Sequence, residues 1–129
     1  MNPVATPHIP KLWARVYSQI RPAIEHGGEH TEESVFRALM NGQMILWYNA
    51  DAFVVTSWCD YPAGRIGYVM FAGGKNARRW IHGAADDFTR WAESIGCKEL
   101  RLLGRKGWRR YLPLDNDYLM IRRFIHGSV

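Results

Sequence analysis

A chain of 129 residues is long enough for one domain with a real core and too short for two of ordinary size. Its 47% hydrophobic content excludes a disordered segment, and no apolar run approaches the ~20 residues of a membrane span. Seventeen basic against twelve acidic residues give a net charge of +5, which favours an anionic partner such as phosphate, nucleic acid or an acidic protein.

Met1 to Pro10 carries three prolines and no periodicity, and reads as an extended arm. It lacks the charged start and apolar stretch of a signal peptide, so a cytoplasmic chain with Cys59 and Cys97 as reduced thiols is expected. From Lys11 to His26, Leu12, Val16, Ile20, Ala23 and Ile24 share one helical face, with Trp13 and Tyr17 beside it. Pro22 predicts a kink or an end near Ile20 or Arg21, because proline has no N–H and crowds the preceding turn. Thr31-Glu32-Glu33-Ser34 predicts a second helix, with Thr31 as N-cap and acids in its first turn, ended by Asn41-Gly42.

Three strands follow: Met44 to Asn49, Phe53 to Cys59, and Arg65 to Ala72. Short turns join them, so they form an antiparallel meander. Ala77 to Ile95 places Trp80, Ile81, Ala84, Ala85, Phe88, Trp91, Ala92 and Ile95 on one face of a long helix, and Gly96 stops it. Lys98 to Leu103 then lies parallel to the third strand, as a helical crossover requires. A basic helical stretch, Gly104 to Leu112, precedes a last strand, Tyr118 to Ile125. The fold class is α/β, in the mixed α+β sense: a single domain, 1–129, with helices on both faces of a mixed sheet and residues 1–10 as an arm.

This order resembles the GNAT fold, the acyl-CoA N-acyltransferase family, with its N-terminal strand missing, from about Leu12 to Phe124. Trp91-Ala92, Gly96-Cys97-Lys98-Glu99-Leu100 and Gly104-Arg105-Lys106-Gly107-Trp108-Arg109 resemble a group of short phage-encoded GNAT-like proteins. The resemblance implies acetyl-CoA or another acyl-CoA held where the third strand and its parallel neighbour splay apart, with the pyrophosphate on backbone N–H groups that open the long helix. Such unpaired N–H groups and the helix dipole favour an anion. The residues concerned are Phe71, Gly73, Gly74, Lys75, Asn76, Ala77, Arg78 and Arg79. Phe71 stands where the family has Gln or Arg, and Asn76 where it has Gly or Ala.

Transfer to an amine needs a base for the ammonium proton and an acid for the leaving thiolate. By the resemblance Tyr111 is the candidate acid. Asp60, after the second strand, and Asp51, before it, are the candidate bases, although Asp is also what turns recruit. His26 and His30 flank two glycines, so no helix aligns them as ligands, and no metal site is expected. Two rivals to an acyltransferase remain. One is a non-catalytic phage assembly, protein-interaction or host-modulating module. It would oligomerise or take a partner strand at the sheet edge that the missing first strand leaves open. The other, ranked lower, is a nucleic-acid binder using Arg101, Arg105 to Arg110, Arg122 and Arg123.

Overall fold

Ala52 to Thr56 is buried at every residue, the pattern of a strand covered on both faces. In the computed structural model, which describes residues 1–102 and the backbone of 120–123, this run lies in β3 (Ala52–Tyr61). On one side of β3 is β2 (Met44–Tyr48), beyond which comes β1 (Asn2–Pro3). On the other side, β4 (Gly64–Gly74), β5 (Cys97–Leu102) and β6 (Met120–Arg123) complete one sheet in chain order. Every neighbouring pair is antiparallel except β4 and β5, which are parallel, as the helical crossover between them predicts. The α/β class is therefore as expected, and no helix among the described residues is long and apolar enough to cross a membrane.

Helices α1 (Ile9–Gly27) and α2 (Glu32–Met40) cover one face. Ile9, Val16, Ile20 and Ile24 of α1 and Val35 and Leu39 of α2 pack there on Met44, Leu46, Phe53, Val55 and Phe71. Helix α3 (Ala77–Ser94) covers the other, setting Ala84, Phe88 and Ala92 against Trp47, Val54, Val69, Leu100 and Leu102. Cys97 is buried on this side, where desolvation pushes its thiol pKa upward, and Cys59 is exposed. A buried thiol of raised pKa is a packing residue rather than a nucleophile.

Three expectations need correction. Helix α1 runs through Pro22 to Gly27 rather than ending near Ile20, because Ile24 continues the buried stripe beyond the proline. It stops at Gly28, which takes φ 72° and gives its N–H to the Ile24 carbonyl. The arm, residues 1–10, is extended only at its start: Thr6–His8 form a single 3-10 turn, and Ile9 and Pro10 already belong to α1. Asn2 and Pro3 pair with Tyr48 and Trp47, the Val4 N–H donates to Leu46, and Met1 packs into the α3-side core. A short N-terminal strand is therefore present, two residues long and at the edge, where a proline is tolerated. The exposed β2 edge, on which the partner-strand idea rested, is thus occupied over these residues. Strand β2 stops at Tyr48, one residue short of the expectation, while β3 and β4 run two residues further than expected at their hairpin or α3 ends.

Strand β4 also carries an irregularity. Val55 faces Phe71 but Thr56 faces Val69, so Met70 is an extra residue. Met70 and Phe71 both pack towards α1 and α2, while Val69 and Ala72 pack towards α3. This is the geometry of a β-bulge.

Candidate functional site

Among the described residues the ladder between β4 and β5 runs as far as Val69 and Leu102; β4 continues to Gly74 and α3 opens at Ala77. Asn76, the N-cap of α3, sits in the left-handed region at φ 57°. Its side chain does not cap the helix. It donates instead from Nδ2 to Asp51 Oδ1 at 3.1 Å. The Arg79 N–H reaches the Asn76 carbonyl at 2.9 Å. Among the described residues, nothing accepts from the N–H groups of Ala77 and Arg78. Lys75, Arg78 and Arg79 are exposed around them, and no described carboxylate pairs with any of the three. Three cations at the positive end of a helix dipole repel it, so an anion bound there would relieve an existing electrostatic cost.

The glycines before this helix answer to a different demand from the one expected. A Cβ on Gly73 would lie 1.9 Å from the Gln19 carbonyl oxygen. One on Gly74, at φ 143°, would lie 2.2 Å from the Asp51 carbonyl oxygen. Both positions are filled by protein backbone, from α1 and from the turn between β2 and β3. The Lys75 N–H is likewise taken, by the Asp51 carbonyl at 3.0 Å. Phe71 is turned away: the bulge buries its ring at 6% exposure in the α1 side, edge-on to His30 at 5.8 Å. Of the residues expected to cradle a phosphate, Ala77, Arg78 and Arg79 keep accessible donors. Lys75 keeps its ammonium, and Gly73, Gly74 and Phe71 shape the junction from within.

Asp60 is elsewhere. It lies at the hairpin end of β3, while Ala52, at the other end, pairs with Gly74. The intervening extended chain, at about 3.3 Å per residue, separates them by about 26 Å. Arg65 holds Asp60 through Nε at 2.6 Å and Nη2 at 3.3 Å, and that hydrogen bond draws the carboxyl below its ordinary pKa. Beside it the Tyr61 and Tyr68 hydroxyls meet at 2.7 Å, and this bond pushes the Tyr61 phenol well above its ordinary value. An ionised Asp tied to arginine is a weak proton acceptor. Tyr111, Trp108 and the basic run 105–110 lie outside the described residues, as do the side chains of Arg122 and Arg123. Among the described residues no group of three His, Cys, Asp or Glu gathers as a metal site.

Two hollows open at the Gly74 end of the sheet. A trough of about 430 Å³ is lined by Arg15, Gln19, Ala50, Asp51, Gly74 and Lys75. Gln19 Oε1 is buried and accepts from no described residue. A larger cleft of about 810 Å³ adjoins it through Arg15 and Ala50 and reaches Tyr48, Phe53, Lys11 and His8. Sequence reading missed both, although a signal existed: positions 8, 11, 15 and 19 recur on one side of a helix. Attention to the apolar face of that helix hid its polar flank. No family model, curated protein or solved structure matches the chain.

Proposed function

We propose that the chain is an N-acyltransferase of the GNAT type, taking acetyl-CoA or a related acyl-CoA at the junction of β4 and α3 and passing the acyl group to an amine. One observation carries this reading: β4, which pairs in parallel with β5, leads directly into a helix whose first N–H groups are unclaimed among the described residues and ringed by cations. Beyond the carboxyl ends of parallel strands is where open α/β sheets take ligands, and a helix N-terminus is where they take phosphates. The Ala77 and Arg78 amides and the Lys75, Arg78 and Arg79 side chains would hold the pyrophosphate. The acceptor nitrogen would attack the thioester carbonyl, expelling thiolate and releasing one proton from nitrogen. Asp60 is remote from the junction and paired with Arg65, so no proton is assigned to it.

Thermal unfolding with CoA and acetyl-CoA tests the reading. At a ligand concentration one hundred times Kd, stabilisation of about 2.7 kcal/mol is expected, and it is lost in Arg78→Glu with Arg79→Glu. Unchanged melting at millimolar ligand in the folded wild type would sink it. Binding without acyl transfer to any amine tried would move the chain to the non-catalytic reading, which the position of Asp60 favours.

A further inference from the structure

The larger cleft lies on the α1 face of the sheet, between the first half of α1, the end of β1 and the turn that joins β2 to β3. Its walls divide by chemistry. Val4, Leu12 and Phe53 form an apolar floor, and Tyr48, 43% exposed, stands directly across the ladder from Phe53. His8, Lys11 and Arg15 line the helical side at spacings of three and four residues, which stacks them along one edge. Among the described residues no carboxylate lines the cleft and none pairs with Lys11 or Arg15.

Arg15 is the residue of most consequence. Its guanidinium carbon lies 5.8 Å from the centre of the Phe53 ring, a distance at which the π face attracts the cation. None of its guanidinium N–H groups reaches a described acceptor. A planar fork of donors is thus held near an aromatic floor with its hydrogen bonds still to be made, an arrangement suited to a carboxylate or phosphate. Asn49 uses Oδ1 to accept from Asp51 and Ala52 N–H groups, and its Nδ2 donates to no described residue. The volume falls within the range of small-molecule pockets.

We propose that this cleft binds a small organic anion with a flat aromatic body, its charged group on Arg15 and Lys11 and its ring against Tyr48 and Phe53. The site is separate from the helix end assigned to acyl-CoA and stands whether or not that assignment holds.

The test uses the full chain with 2-naphthoate as probe and 2-naphthalenemethanol as its uncharged counterpart. Binding is followed by backbone amide NMR shifts. The acid is expected to shift Arg15, Tyr48, Asn49 and Phe53 at millimolar concentration and to bind about tenfold more tightly than the alcohol, the worth of a single charge-assisted contact. Arg15→Gln should remove that preference, and Tyr48→Ser should weaken both compounds alike. Both side chains are exposed, and unchanged melting confirms that each variant folds. Equal affinity of acid and alcohol overturns the proposal. So does binding indifferent to Arg15→Gln, or the absence of shifts at these residues in wild type.

Discussion

The two faces of the sheet solve the same packing problem by different means. On the α1 and α2 face the buried residues are mostly branched aliphatics, and the helix meets the strand backbone to backbone, Gln19 against Gly73. On the α3 face contact is through side chains. Ala84, Ala92 and Gly67 let the helix settle close, and Trp47 fills the remaining volume with its ring edge-on to Phe88 at 5.2 Å and to Trp91 at 6.1 Å. That second face also buries a polar pair, Trp47 Nε1 donating to Thr56 Oγ1 at 2.9 Å. Backbone contact leaves no atom that can rotate aside, whereas side-chain contact can relax. The pyrophosphate site proposed for acyl-CoA stands where the unyielding face meets the start of α3.

The same substitution on each face measures that difference. Gly73→Ala drives a methyl into the Gln19 carbonyl and should cost about 3 kcal/mol or more, read as a fall in the urea midpoint or as failure to fold. Gly67→Ala meets Ala92, Cys97 and Leu100 side chains at 3.4 Å, ordinary contact, and should cost about 1 kcal/mol or less. Equal costs would erase the distinction. Between those two falls Thr56→Val, which keeps shape but strands the Trp47 N–H in the core, at about 1–3 kcal/mol by chemical denaturation.

The smallest concerns Asp60, outside both cores. Its folded pKa is depressed, first by the hydrogen bond from Arg65, so its contribution is present above the unfolded pKa and is lost as pH falls through the folded one. The change belongs to the acid range alone, and full exposure keeps it slight. A carboxyl-carbon NMR titration should place the Asp60 midpoint below that of an ordinary aspartate, and Arg65→Gln should return it.

Periodicity made the scaffold legible. The stripe from Val16 to Ile24, the Thr31 cap and the apolar face from Ile81 to Ala92 each follow from local rules, and the structure has them where the rules put them. Thr31 accepts from Ser34 N–H at 3.1 Å, and Ser34 Oγ accepts from the Thr31 N–H, a closed capping box. What escaped was whatever depends on distant chain. Two paired residues at Asn2 and Pro3 have no pattern to read. The purpose of Gly73 is set by Gln19, more than fifty positions earlier, so an invitation to a ligand and room for a helix look alike in the sequence. The burial of Phe71 hangs on the bulge beside it, which no alternation rule foresees.

The surplus residue in β4 acts as a change of phase. Before it, odd-numbered residues such as Gly67 and Val69 look towards α3; after it, even-numbered Ala72 does. Removing Met70 would therefore leave Val69, Phe71, Ala72 and Gly73 alternating between the faces they already occupy, so the strand would lose its irregularity and keep its interior. A codon lost beyond the bulge, such as that of Ala72, would instead turn Gly73 towards α3 and take from it the place it yields to Gln19, whereas length can drift at the exposed Pro62–Ala63 tip.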